Sequence, residues 1–255
     1  MTDSDSPVLV IGNWKMNLCP QAAFSLAERL AVESRSLRKS QLWLAPAFPS
    51  LAALTSINNL GAPQFQVGAQ NVHWENSGAY TGESSPAMLQ ELGCTFAIVG
   101  HSERRHIFGE SDKLVAKRAL AAETSPLSII FCVGETEEER KRGETSEILA
   151  RQLGALFDQI PSPNRAKFVI AYEPVWAIGS GQVANPADIS SAHQVIRDIW
   201  RERAKQECPP IAYGGSVSPE NFSSIIELPL VAGALIGGAS LDFEKLKEIL
   251  SIAEN

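Results

Sequence analysis

The stretch IAYGGSVSPENFSSIIELPLVAGALIGG, residues 211–238, decides the fold. Two short apolar runs, one from Ile211 and one ending at Ile236, are each closed by a glycine pair, Gly214-Gly215 and Gly237-Gly238. Between them Ser218-Pro219-Glu220 opens a helix, with a hydroxyl to cap it and a proline in its first turn. Strand, tight turn, helix, strand and tight turn is the repeating grammar of an α/β protein.

Working back toward the N-terminus, the same kind of run recurs. VLVIGN starts at Val8, LWLAP at Leu42, FQVGAQN at Phe65, FAIVG at Phe96, IIFCVG at Ile129 and FVIAYEP at Phe168. Most are continuously apolar rather than alternating, as expected of parallel strands covered on both faces. The segments between them carry single apolar faces at helical spacing. Ile148/Leu149, Leu153, Leu156/Phe157 and Ile160 form one stripe, and Ile189, Ala192/His193, Ile196 and Ile199/Trp200 another. Phe243, Leu246 and Ile249/Leu250 form the last. Asn185-Pro186 reads as a cap followed by proline at the first helical position. Glu137 to Arg142, three acids then three bases, reads as a solvated helix face without function.

Eight strands and eight helices, one pair per about 32 residues with no linker between them, predict one closed (β/α)8 barrel over residues 1–255. Residues 1–7 are expected to form a short disordered tail. A doubly wound open sheet is the alternative, but Gly12-Asn13-Trp14-Lys15 after the first strand is not a dinucleotide fingerprint.

The chain has 255 residues, is 44% apolar and carries a formal charge of −7. That acidity argues against a nucleic-acid surface, which needs an excess of Lys and Arg. No run approaches the about 18 apolar residues of a membrane span. Met1 to Ser6 lacks the cationic lead and apolar run of a secretory signal. Cys19, Cys94, Cys132 and Cys208 are widely spaced, so zinc and redox motifs are unsupported; Cys94 and Cys132 read as buried thiols in a reducing, cytoplasmic setting. His73, His101, His106 and His193 also lack metal-ligand spacing.

Barrel active sites lie at the C-terminal ends of the strands. Strand one ends in Asn13 and Lys15, strand three in Gln70 and Asn71, strand four in His101 and Glu103, and strand six in Glu173. Pro46 and Gly134-Glu135 carry less obvious chemistry. Glycine pairs on two adjacent strands, with the Ser216 hydroxyl, suit a phosphate cradle, although tight turns alone would also use them. Lys15 supplies the cation that a phosphorylated substrate needs. A rim carboxylate such as Glu173, partly desolvated, suits a general base. A helix starting after His101 would disfavour the imidazolium, leaving a neutral N–H to polarise a carbonyl. One base, one neutral electrophile, one cation and a phosphate cradle fit proton transfer beside a carbonyl on a small phosphorylated substrate. Phosphoryl transfer fits less well without an Asp pair for Mg²⁺. Pro174, Val175, Trp176, Ala177, Ile178 and Gly179 read as a lid that excludes water, or as a loop folded permanently onto the rim.

GNWKMN at Gly12, VGAQN at Val67, GAYTGE at Gly78, VGHSERR at Val99, CVGET at Cys132, AYEPVWAIGSG at Ala171, YGGSV at Tyr213 and LIGGASL at Leu235 run in order along the chain. Together they resemble the triosephosphate isomerase family, whose fold is the TIM barrel. The resemblance implies interconversion of dihydroxyacetone phosphate and glyceraldehyde 3-phosphate, through an enediolate, in glycolysis and gluconeogenesis, with no cofactor. It makes Glu173 the base and His101 the neutral electrophile, a pairing that is the family's own. Lys15 resembles the phosphate and transition-state cation, with Asn13 beside it and Glu103 organising it. Gly179, Ser216, Gly237 and Gly238 match the phosphate-gripping positions. The resemblance further implies a homodimer in which the loop His73 to Glu83 carries Thr81, beside Tyr80, into the neighbour's active site. His73, Trp74 and Tyr80 read as exposed and so compatible with an interface. One departure is Leu230-Val231-Ala232-Gly233, where many relatives carry an Asp-Gly step, so a salt bridge toward the helix of Arg197 is expected to be missing.

Two other readings remain open at this point. A barrel aldolase would use Lys15 as a Schiff base, which requires an amine that deprotonates readily. An inactive phosphate-binding scaffold would not need Lys15, His101 and Glu173 together.

Overall fold

The computed structural model describes residues 6–59, 65–178 and 183–255. Its strands are β1 (Val8–Asn13), β2 (Ser40–Ala45), β3 (Gln66–Ala69), β4 (Phe96–Val99), β5 (Ser128–Val133), β6 (Phe168–Tyr172), β7 (Ile211–Tyr213) and β8 (Val231–Ile236). Each pairs in parallel with the next, and β1 also pairs with β8, so the sheet is a closed barrel and not a doubly wound one.

Both faces of the strands are apolar because both are covered. Leu9, Ile11, Ile98, Ile130 and Leu235 fill the interior. Val10, Ile129, Phe131 and Ile170, one residue out of phase, pack in the larger outer core. Phe96 reaches across the interior only because Gly68 faces it; a Cβ there would stand 2.4 Å from the Phe96 ring.

The helices are α1 (Pro20–Ser34), α2 (Leu51–Asn59), α3 (Pro86–Glu91), α4 (Ser102–His106), α5 (Asp112–Glu123), α6 (Glu137–Lys141), α7 (Thr145–Gln159), α8 (Pro186–Ala204), α9 (Pro219–Ile226) and α10 (Phe243–Ala253). Among the described residues there are thus ten, not the eight that periodicity suggests. The additional ones, α4 and α6, are five residues each and precede the full crossover helices after β4 and β5. Five residues are too few to display a 3.6-residue period, so their starts are marked only by caps. The longer helices follow their stripes: α7 buries Leu149, Leu153, Leu156 and Phe157, and α8 buries Ile189, Ala192, His193, Ile196 and Trp200. Asn185 caps α8 by accepting from the Asp188 N–H at 2.9 Å. Cys94 and Cys132 are buried, as expected. Of the expected tail 1–7, residues 1–5 lie outside the described residues. No described helix is long and apolar enough to cross a membrane.

His193, expected only as part of a helical stripe, is fully buried under the barrel wall. Its Nδ1 lies 3.3 Å from the Leu230 carbonyl, its Nε2 has no hydrogen-bond partner, and its ring meets Tyr172 edge-on at 5.8 Å. Burial lowers its pKa to about 4 from the ordinary 6.5. The unfolded chain therefore binds the extra proton first, and stability present above pH 6.5 is lost as pH falls toward 4. We predict that denaturant titrations lose about 3 kcal/mol from this group over that window. His193→Gln should flatten that part of the curve; an unchanged slope in the variant would remove His193 as its source.

Candidate active site

The strand ends converge on one cavity of about 220 Å³ at the C-terminal mouth of the barrel. Asn13, Lys15, His101 and Glu173 line one part of it, and Gly214 to Val217 with Gly237 and Gly238 the other. Usual drug-sized sites span about 300–1,000 Å³, so this one suits a small substrate.

Glu173 lies just beyond β6 and is only 2% exposed. Its carboxylate accepts from the Ser102 N–H at 2.9 Å and the Ser102 hydroxyl at 3.2 Å. Its Oε1 also lies 3.0 Å from His101 Nε2. His101 is the cap residue of α4, and its Nδ1 accepts the Glu103 N–H at 3.3 Å. A ring nitrogen that accepts cannot carry the proton, so the neutral tautomer has its N–H at Nε2, the nitrogen that lies nearest Glu173. The Glu103 carboxylate lies 3.6 Å from the same Nδ1, beyond hydrogen-bond reach, so the amide sets the tautomer. The helix start expected after His101 is present. The local amide, rather than the field of a long helix, determines which nitrogen is protonated.

Lys15 Nζ pairs with Glu103 Oε1 at 2.8 Å. Its backbone has φ 51, a left-handed conformation that costs a non-glycine residue about 1–2 kcal/mol. The turn is held there by its neighbours. Asn13 Oδ1 accepts the Lys15 N–H at 3.1 Å, and Gln70 Nε2 donates to the carbonyls of Lys15 at 2.8 Å and Ala45 at 2.9 Å. Gln70, named above only as a strand end, is therefore a positioning residue for the cation.

The two glycine pairs do different work. A Cβ at Gly214 would stand 2.9 Å from Glu173 Cγ, and one at Gly215 would stand 2.1 Å from the Tyr213 hydroxyl. That pair makes room for the carboxylate and for Tyr213. A Cβ at Gly238 would meet nothing within 4 Å, and one at Gly237 only the end of Lys15, so this pair leaves the cavity wall open. Ser216 presents no free hydroxyl: its N–H and Oγ both donate to the Ala177 carbonyl, at 3.0 and 2.7 Å.

Beyond Glu173, Pro174 leads into a short turn, Val175–Ala177, and Ile178 reaches the cavity. Gly179 lies outside the described residues. The turn is anchored by Glu135, which sequence reasoning passed over. Buried Glu135 accepts from Trp176 Nε1 at 3.1 Å and from the Tyr172 hydroxyl at 3.1 Å, while its carbonyl accepts the Val175 N–H. Burial raises its pKa above the ordinary carboxylate value. Arg140 stacks over the Trp176 ring at 3.9 Å and pairs with Asp188 at 2.6 Å. The run Glu137 to Arg142 is thus not merely a solvated face. Its last turn grips the segment after Glu173, a contact between distant residues that charge patterning cannot reveal.

Thr81 and Tyr80 are exposed, on the loop between β3 and α3. His73, expected to be exposed, is buried, with ring centroids 3.9 Å from Trp74 and 4.2 Å from Tyr80. Buried Arg118 on α5 donates to the Val72 carbonyl at 2.6 Å and to Glu83 at 3.0 Å, clasping both ends of the loop. Tyr80 is exposed as expected and Trp74 partly so, but their rings pack against His73 and bury it, a contact that a one-dimensional reading does not show.

The family model described as triosephosphate isomerase matches residues 8–253. A triosephosphate isomerase of Thermus thermophilus is 43% identical over 252 residues, covering 96% of this chain and 98% of the relative. Another, of Nitrosococcus oceani, is 42% identical over 249 residues, covering 96% and 97%.

Removing the acceptor for Trp176 should loosen the segment that follows Glu173. We predict that Glu135→Leu is cleaved by chymotrypsin after Trp176 at least about tenfold faster than the parent, because local opening there costs less free energy. Glu135→Gln, which retains a carbonyl acceptor, should be cleaved at close to the parent rate. Equal rates in all three proteins would show that Glu135 does not hold the turn.

Proposed function

This chain belongs to the triosephosphate isomerase family, and on that premise we propose that it interconverts dihydroxyacetone phosphate and D-glyceraldehyde 3-phosphate by proton transfer through an enediolate. The observation that carries the mechanism is the 3.0 Å approach of His101 Nε2 to Glu173 Oε1 inside a cavity that also holds Lys15. A neutral N–H and a carboxylate side by side are the electrophile and base that an enolisation requires.

A triose phosphate enters between these groups. Its carbonyl oxygen accepts the His101 Nε2–H. The carboxylate exchanges its Ser102 bonds for the substrate C–H and removes that proton. The resulting enediolate oxygen is stabilised by His101 and by Lys15, with Asn13 beside them; His101 gives its Nε2 proton to that oxygen and takes one back from the neighbouring hydroxyl, and Glu173 returns the abstracted proton to the adjacent carbon, so that the former hydroxyl oxygen becomes the new carbonyl. Lys15 Nζ is engaged by the Glu103 carboxylate at 2.8 Å, an ion-pair setting unlike the desolvated, unpaired amine that a Schiff base needs. The phosphate lies against the open wall at Gly237 and Gly238, with the Gly179 backbone and the Ser216 hydroxyl as further donors. Ser216 must release the Ala177 carbonyl to serve, so phosphate binding and movement of the segment Pro174 to Gly179 are coupled. That segment acts as a lid that keeps water from the enediolate.

The enzyme works as a cytoplasmic homodimer, a single barrel domain per chain, in glycolysis and gluconeogenesis. The exposed Thr81 and Tyr80, on a loop stiffened by its own aromatic cluster, support its insertion beside a neighbour's site.

Turnover of each triose phosphate in a coupled assay tests the function directly. Glu173→Asp withdraws the carboxylate by one methylene, and we predict a loss in kcat on the order of 10²-fold with a much smaller change in KM. A variant as fast as the parent would mean that Glu173 is not the base. Charged replacements of Thr81 and Tyr80 should lower dimer affinity and turnover together, read by sedimentation and assay on one sample. A fully active monomer would show the loop to be ordinary surface.

A further inference from the structure

The opposite, N-terminal face of the barrel holds a larger cavity, of about 570 Å³. It opens between the residues that precede β1, β7 and β8 and shares no lining residue with the cavity at the opposite mouth. Its floor is apolar, with Ile211 and Val231 at the strand starts and Leu228 and Pro210 beside them. Its rim is cationic: Arg165 ahead of β6, and Arg197 and Arg201 one turn apart on α8. All three lie near enough to Cys208, also in the lining, to oppose the rise that burial imposes on its thiol.

Each guanidinium has five N–H donors, and two of the three are far from saturated. Arg165 uses Nε on the Cys208 carbonyl at 3.0 Å. Among the described residues, Arg197 Nε reaches only its helix neighbour Asp198, at 3.4 Å, and no carboxylate comes from the start of β8, where Leu230 precedes the strand and Ala232 lies in it. Arg201 is committed to Glu207 through Nε at 3.1 Å and Nη2 at 2.5 Å. The other acid in the lining, Glu227, caps the end of α9 and accepts from the Ser223 hydroxyl of that helix at 2.9 Å. Among the described residues, the Nη groups of Arg165 and Arg197 have no protein acceptor. Such paired forks over an apolar floor match an oxyanion head on an apolar body.

We propose that this cavity is a binding site for a small amphipathic organic anion, its carboxylate or phosphate head held by Arg165 and Arg197 and its apolar body resting on Ile211, Leu228 and Val231. The site is independent of the isomerase centre.

Phenylacetate is a suitable probe, because it carries a carboxylate on an apolar ring and no phosphate for the catalytic cavity. Calorimetric titration of the full chain should show one saturable site that weakens with salt. Arg165→Gln combined with Arg197→Gln should weaken it at least about tenfold, with isomerase turnover unchanged as proof of an intact fold. Benzyl alcohol, which lacks the charge, should bind at least about tenfold more weakly. Lys15→Ala, which removes the catalytic cation, should leave phenylacetate affinity unaltered. No saturable binding up to about 10 mM would overturn the proposal, as would affinity that survives the double substitution or vanishes in Lys15→Ala. Deleting residues 1–5 tests the remaining occupant. If the deletion tightens phenylacetate binding about tenfold, Asp3 and Asp5 of the chain itself compete for the guanidiniums and the free-ligand reading fails.

Discussion

The hydrogen bonds that join β1 to β8, with Leu9 to Gly12 in register with Gly233 to Ile236, close the sheet. Closure is what brings residues more than two hundred positions apart onto one rim. Asn13 and Lys15 follow β1, His101 follows β4, Glu173 follows β6, and Gly237 follows β8. In an open sheet the first and last of these would stand at opposite edges. The apolar filling of the barrel, from Leu9 to Leu235, makes closure favourable, since each inward side chain leaves water only when the ring is complete.

Within that frame the site depends on a few well-placed polar contacts. The Ser102 amide and hydroxyl, together with His101, occupy the Glu173 carboxylate. The Glu103 amide sets the imidazole tautomer while its side chain holds Lys15, so one short turn of helix contacts His101, Glu173 and Lys15 together. On the other side, Glu135 and Arg140 grip Trp176, three residues after Glu173. The position of Glu173 and that of the segment behind it are therefore linked through the two intervening residues, Pro174 and Val175.

Much of this was legible in one dimension because it was either periodic or punctuated. Most of the eight strands are continuous apolar runs ended by Gly, Pro or Asn, and the barrel rule then converts their ends into site candidates. Asn13, Lys15, His101 and Glu173 all line the one cavity. What escaped was of another kind. α4 and α6 are too short to show a period. Gln70, Ser102 and Glu135 act through hydrogen bonds to residues 25 to 71 positions away. The burial of His73 arises from its aromatic neighbours' rings folding over it.

The sequence by itself determined the strand count, the parallel order, the helix faces and the identity of the groups that can do chemistry, because these follow from local period, turn residues and functional-group type. Only the tertiary structure decided which glycine pair makes room for the Glu173 carboxylate and which leaves the wall open. It also decided that the Ser216 hydroxyl is engaged by Ala177 and that three arginines gather over an apolar floor on the far face. Each of these depends on distances between segments that the closed sheet brings together, and such distances have no counterpart in the order of residues along the chain.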